Sequence, residues 1–394
     1  MAMANVGKGP QGRLESLDVL RGMDMLFIMG FGGFLIKVCM MFGWGEHCWL
    51  AQQMRHVQWD GLAFLDTVFP TFLFIAGASF PFSFAKKIEK GWTSGRIRLD
   101  ILRRVVILFA LGLVYGGLLK TGTLRMGSVL GRIGVAWGVA ALLYMSVSWR
   151  KRLGIAAAIL IGYWMLICFV PAPDRLDVAL PPGFEAWGRG PFSVVGNISG
   201  WIDRHFMPGI IPCNGGVYDN QSALGYIPAV VTAMLGMFCG EFIRKTRDRL
   251  AGNRQVLCLL GWAVLELALG LLIAFGFGDM SFPVNKKLWS SSFVLVVGAY
   301  STAALAAVYW LVDVRKVWRH TLFFRVIGLN SITIYLGQTI IDFTGIAKSL
   351  VGWTVKPCNA WVPALGDVIL GAAYIAVCWL FLLFLYRKNV FLKV

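Results

Sequence analysis

Only four histidines occur in this chain of 394 residues, and one of them stands where chemistry is plausible. The stretch His56-Val57-Gln58-Trp59-Asp60-Gly61-Leu62 runs into Ala63-Phe64-Leu65-Asp66-Thr67-Val68-Phe69-Pro70. No charged residue follows from Thr71 to Ala85. An imidazole and two carboxylates at the mouth of an apolar segment are costly to place near a membrane, so by default they mark a functional site. An imidazole, with an ordinary pKa of about 6.5, can take a proton from an amine or hydroxyl nucleophile at physiological pH. His56 is therefore the candidate catalytic base or acyl carrier, and an interfacial histidine without a role is the competing reading. If residues 56–60 are helical, Trp59 and Asp60 fall at i+3 and i+4, on the face of His56. Asp60 then orients the imidazole or binds an acceptor ammonium. Asp66 lies about 15 Å further along a straight helix and reaches His56 only if the helix breaks. A polar bridge between spans accounts for Asp66 equally well. Trp59 suits the face of a sugar, though tryptophan is also enriched at membrane interfaces.

The elements that must hold these residues are membrane helices. Hydrophobic residues make up 58% of the chain and charged ones 14%, and the mean hydropathy is +0.69. Soluble domains carry roughly 25% charged residues, so a soluble core is excluded. Long continuous apolar runs, rather than alternating ones, exclude a strand barrel. The expected fold is an all-α polytopic bundle in one domain spanning 1–394. Ten spans are expected, at roughly 23–43, 62–85, 105–119, 127–147, 153–171, 223–243, 255–277, 288–312, 322–342 and 364–386. A polar tail precedes them at 1–12. The longest polar stretch, 172–222, forms an extracytoplasmic loop. With both termini cytoplasmic, the basic loops 86–104, 150–152, 244–254 and 315–325 all fall inside, as the positive-inside rule asks. The net charge of +17 thus reports topology and not a nucleic-acid partner. His56 falls outside, and Arg21 with the 86–104 cluster falls inside.

The eight cysteines show no CxxC and no metal-ligand spacing, so no metal is expected. Cys48, Cys213 and Cys358 lie outside, where a disulfide is open to them, but an odd number does not make a framework. No cleavable leader is evident around Lys8 and Arg13.

Several motifs in order along the chain resemble the heparan-α-glucosaminide N-acetyltransferase family of transmembrane acyltransferases. They are Arg13-Leu-Glu-Ser-Leu-Asp18-Val-Leu-Arg21-Gly22, His56-x-x-Trp59-x-Gly61, Asp66-x-x-Phe69-Pro70 and Phe72-Leu-Phe-Ile-Ala-Gly77. Downstream follow Tyr218-Asp219, Ile227-Pro228-Ala229, Leu235-Gly236, Pro283-Val-Asn285-Lys286-Lys287-Leu-Trp289-Ser-Ser-Ser292 and Asn330-Ser331-Ile-Thr-Ile-Tyr335. The resemblance implies transfer of acetyl from cytosolic acetyl-CoA to the amino group of a glucosamine on the far side of the membrane, with His56 at the catalytic position. It implies a short bacterial form in the inner membrane, lacking the luminal domain of the human-type pattern. Homodimerisation follows only from the family. Where the human-type pattern has an asparagine near the outer end of the first span, this chain reads Gly30-Phe31-Gly32-Gly33.

Coenzyme A carries phosphates that arginine binds by paired hydrogen bonds. Arg21, Arg103 and Arg104, at inner span ends and with Asp18 in the first motif, are the candidate cofactor contacts. Topology signalling explains most other basic loop residues. Asn330 and Ser331, inside a span, are candidates for lining a tunnel. Asn285, Lys286 and Trp289 are candidate acceptor contacts at the outer mouth of span 8. Asp219 belongs to the loop expected to cover the site, and His205 in the same loop is a candidate second base. Gly131, Gly134 and Gly138 read as close helix packing. Glu266 and Asp24 are intramembrane acids, either functional or bridging helices. Two other functions compete: a sugar or glycan O-acyltransferase, and a small-molecule transporter.

Overall fold

The computed structural model describes residues 14–118, 122–175, 177–180, 182–183, 187–211 and 213–392. The expected 1–12 tail lies outside them. Regular structure among the described residues is helical, apart from two isolated bridge pairs, Arg125 with Gly209 and Pro171 with Asn197.

Eight helices among the described residues are long and apolar enough to cross a bilayer, which takes about 20 residues. The first, Glu15–Met41, is composite. Its halves α1 (Glu15–Leu26) and α2 (Gly32–Met41) meet in a π-turn, Phe27–Phe31, where Gly30 takes φ 104°. That left-handed value suits a residue without Cβ. After the short α3 (Trp49–Gln53) comes α4 (Phe64–Glu89). Beyond α5 (Ser94–Tyr115) follow α6 (Val129–Ser146) and α7 (Trp149–Phe169). The small α8 (Ile198–Phe206) precedes α9 (Tyr226–Thr246), α10 (Gly252–Phe275) and α11 (Ser291–Tyr309), which continues as a π-helix to Val314.

Two of the ten expected spans take another form. The segment 105–119 belongs to α5, whose first half carries Arg96, Arg98, Asp100, Arg103 and Arg104. The segment 322–342 is broken at Asn330 into α12 (Leu322–Leu329) and α13 (Ser331–Ile340). An asparagine side chain competes for backbone hydrogen bonds and favours such breaks. The chain ends in a hairpin of α14 (Phe343–Trp361) and α15 (Leu365–Arg387).

Burial sorts the spans. In their most apolar windows α9 is 78% buried, α4 and the α11 span 61%, and α15 only 11%. The centre is therefore α4 against α9, and glycine makes their approach possible. A Cβ on Gly236 would lie 1.9 Å from the Phe74 carbonyl oxygen, and one on Gly77 2.1 Å from that of Ala233. Lipid gives little hydrophobic drive for helices to associate, so such backbone contact carries the packing. The same device seats α1 on α12 through Gly22 and Gly328, while Gly134 and Gly138 of α6 make room for the Leu108 and Val105 side chains of α5. All eight cysteines are free, Cys48, Cys213 and Cys358 among them.

Candidate active site

His56 is not on a helix. The chain leaves α3 at Gln53, runs irregularly through residues 55–63 and enters α4 at Phe64. Gly61 turns it at φ 113° and hydrogen-bonds through its N–H to the Val284 carbonyl at 2.8 Å. Trp59 and Asp60 therefore do not share a helical face with His56, and the conditional expectation for them lapses. The break that contact with Asp66 required is present. His56 Nδ1 lies 2.7 Å from Asp66 Oδ1.

Asp66, at the third position of α4, is 1% exposed and uses both carboxylate oxygens. Its Oδ2 accepts from the backbone N–H groups of Val57 and Ala63, each at 3.2 Å, the second being the N-terminal cap reach typical of this position. Its Oδ1 takes His56 and also the Lys286 ammonium, at 3.2 Å. An ionised carboxylate only accepts, so Nδ1 carries the proton of this pair, and in the neutral imidazole Nε2 is then the nitrogen with the lone pair. Lys286 Nζ is also 3.2 Å from Nδ1. Burial pulls the Lys286 pKa down; Asp66 opposes this without cancelling it, and the net shift is downward.

These groups line a cavity of about 410 Å³. Its walls come from the π-turn (Phe27, Ile28), from α4 (Asp66, Val68, Phe69) and from Val129, Asn220, Gln221, Lys286, Lys287 and Tyr335. Trp59 touches it but is otherwise a packing residue, 3% exposed. Its indole N–H donates to the Phe192 carbonyl at 2.9 Å, and Tyr218 packs edge-on at 5.2 Å. Lys287 lies over the Trp187 ring at 4.6 Å.

The remaining outer candidates serve the frame. The Asp60 carboxylate accepts from the Asn285 amide at 3.0 Å, while the Asn285 carbonyl caps the Leu288 N–H at 2.9 Å. Asn285 thus shapes the turn that presents Lys286. Trp289 is fully buried. Its N–H donates to Thr232 at 3.2 Å, and the Arg132 guanidinium lies over its ring at 4.8 Å. Asp219 is also fully buried, paired with Arg125 at 3.3 Å and accepting from the Gln221 N–H at 2.7 Å. It holds Gln221, which reaches the cavity, while the Asn220 N–H donates to Cys213 Sγ at 3.4 Å. His205 is away from it: its Nδ1 hydrogen-bonds to the Trp201 carbonyl at 2.9 Å.

A second cavity of about 260 Å³ continues along the same helices. Where the first is lined by Phe69, Val129 and Tyr335, the second is lined by Phe72, Leu130 and Ser331. Its far end is basic. Arg21 donates to Ser79 at 2.9 Å and pairs with Asp18 at 3.5 Å. Arg104 stacks on Trp137 at 4.4 Å, and its Nε has no hydrogen-bond partner among the described residues. Arg103, the third arginine of the expectation, is exposed and outside this cavity. Asn330 is buried behind it, its amide donating to the Val326 carbonyl at 3.2 Å. Glu266 accepts from Thr302 at 3.0 Å, bridging α10 to α11.

The chain is similar to heparan-alpha-glucosaminide N-acetyltransferases. The human protein of that name is 27% identical over 427 residues, covering 97% of this chain and 60% of the relative. The mouse protein is 26% identical over 374 residues, covering 84% of this chain and 54% of the relative. The chain thus spans little more than half the length of these N-acetyltransferases. Residues 13–118, which include His56, Asp66, Arg21 and Arg104, match a family described as a domain of unknown function, DUF5009. Phe27 and Ile28 carry no sequence signal of a site, and the π-turn brings them to the cavity. Tyr335 closes the Asn330–Tyr335 motif, and its spacing from Ser331, one helical turn, puts both on one side;.

Proposed function

We propose that this chain is a multi-pass membrane acetyltransferase that uses acetyl-CoA and acetylates the amino group of a glucosamine-type sugar. The observation carrying this reading is the pair of stacked cavities, one ending at a His56–Asp66 couple and the other at Arg21 and Arg104. The names of the similar proteins supply the reaction class. In this reading the phosphates of coenzyme A lie at Arg21 and Arg104, and the thioester reaches towards His56. Asp66 fixes the imidazole with Nε2 as base, the tautomer-holding role familiar from catalytic triads.

The amine nitrogen attacks the thioester carbonyl carbon. His56 Nε2 takes the proton that the nitrogen loses as the C–N bond forms; the tetrahedral intermediate then collapses with cleavage of the C–S bond, and the proton passes to the departing thiolate. Lys286, held by Asp66 beside His56, stabilises the oxyanion of the tetrahedral intermediate. In this reading Arg21 lies on the cytoplasmic side of a bacterial inner membrane and His56 outside, with both termini inside, an orientation that the basic loops support.

The test is acetyl transfer from radiolabelled acetyl-CoA to glucosamine by purified wild type and His56→Ala, with coenzyme A binding measured in parallel. We expect wild type to transfer, and His56→Ala to bind coenzyme A but lose activity by roughly 10²–10⁴-fold. Transfer by the variant at the wild-type rate removes His56 from the mechanism. Binding of coenzyme A without transfer by wild type redirects the acceptor to hydroxyl sugars, and absence of binding favours a transporter.

A further inference from the structure

Away from both cavities, α7, α9 and α10 leave a slot open to the side of the bundle. Its volume is about 440 Å³, and its walls are Leu153 of α7, Phe238 and Phe242 of α9, and Cys258, Leu259 and Trp262 of α10. The slot exists because α10 packs chiefly on α11 and only lightly on α9. The central α9 becomes a floor and the two outer helices become walls. In their most apolar windows α7 and α10 are only 28% buried, so the slot faces the hydrocarbon of the bilayer.

One end of the slot is charged. The Glu241 carboxylate takes Arg152 on one oxygen and Lys245 on the other, each at 2.5 Å. Two cations against one carboxylate leave a local charge of +1. Lys245 itself is 56% exposed and lines the slot. Exposed Arg150 and Lys151 stand beside Arg152, and Trp149, half-exposed, forms the rim. An apolar trough that ends in cations and a rim tryptophan matches one ligand chemistry at membrane depth: a hydrocarbon chain with an anionic headgroup.

We propose that this slot binds one anionic phospholipid, with an acyl chain between Phe242, Cys258 and Trp262 and its phosphate at Lys245. The site is independent of the acetyl-transfer reading.

The test uses the full-length protein, native mass spectrometry and an equimolar mixture of phosphatidylglycerol and phosphatidylcholine. Wild type should retain one phosphatidylglycerol per chain with a preference of about fivefold, the scale of one basic residue at a membrane surface. Lys245→Glu should lose the preference. Cys258→Trp fills the slot from its lipid-facing wall and should lose the retained lipid of either headgroup. Equal retention of both lipids by wild type, or retention unchanged in Cys258→Trp, overturns the proposal. A second measurement needs no variant. Maleimide labelling of Cys258 in delipidated wild type, mapped by peptide, should be about fivefold slower with phosphatidylglycerol vesicles than with phosphatidylcholine vesicles. Equal rates also overturn it.

Discussion

Asp66 decides which nitrogen of His56 is basic. It is nearly inaccessible, and its two oxygens tie together His56, Lys286 and the backbone of the loop that carries His56. Asp66→Asn keeps the shape but replaces an acceptor-only group by one that also donates, so the imidazole can turn its proton the wrong way. We expect kcat to fall by roughly 10²–10⁴-fold while coenzyme A binding is retained, measured by single-turnover transfer and equilibrium binding. Lys286 has a different signature. Burial holds its pKa below the ordinary lysine range, so in the proposed role its charge is lost early on the alkaline side. The alkaline limb of kcat/KM against pH should therefore lie below that range, and Lys286→Arg, which stays protonated, should move the limb upward. A limb unmoved by the arginine would remove Lys286 from the reaction.

At the scale of elements, the site depends on how closely α4 meets α9 and on how the covering loop is held. Gly236→Val puts a branched side chain where the first carbon already meets the Phe74 carbonyl. The helices must part, and we expect loss of the monodisperse peak in size-exclusion chromatography at wild-type expression temperature. In the covering loop, Asp203 of α8 is fully buried, and its Oδ1 accepts from the Ala223 N–H at 3.0 Å. Burial raises its pKa to about 6. A raised carboxylate pKa means that the folded state binds more protons than the unfolded one. This stabilising contribution is complete below the unfolded value of about 3.8 and is lost as pH rises through about 6;. Asp203→Asn keeps the acceptor and removes the charge. It should be more stable than wild type at pH 7.5 by about 3 kcal/mol, read as a higher melting temperature, and the two should converge near pH 4. A wild-type advantage at pH 7.5 would show that the charged carboxylate is the stabilising form.

For the whole molecule, the separation of the two cavities is the functional statement. Arg21 and Arg104 stand at one end of the central helices and His56 at the other. Removing a group at the first end should change how the donor binds and leave the chemistry alone. Arg21→Ala is expected to raise KM for acetyl-CoA by about tenfold or more, the factor of a charge-assisted hydrogen bond of roughly 1.5 kcal/mol, with kcat little changed. In sealed vesicles, acetyl-CoA and the acceptor sugar should be needed on opposite sides. Activity with both on one side of an intact vesicle would contradict the reading of a bundle that works across the membrane.

Composition and run length alone dictated a helical membrane bundle, because apolar segments near 20 residues have few other stable states in lipid. The rarity of histidine and its place beside a charge-free run pointed to His56, and arginines at span ends pointed to Arg21, Arg103 and Arg104, of which Arg103 lies outside the cavity. The partner of His56 was decided in three dimensions. Along the sequence Asp60 is nearer, but Gly61 reverses the chain and leaves Asp60 with Asn285, while the start of α4 brings Asp66 under the imidazole. The same holds for Trp289, whose motif suggests a site and whose indole is fully buried beside Arg132. It holds too for Phe27 and Ile28, which reach the cavity through the π-turn. Hydropathy and spacing report which medium a residue meets. They do not report where an irregular loop turns or which long-range backbone groups complete it, and those turns set the contacts of this site.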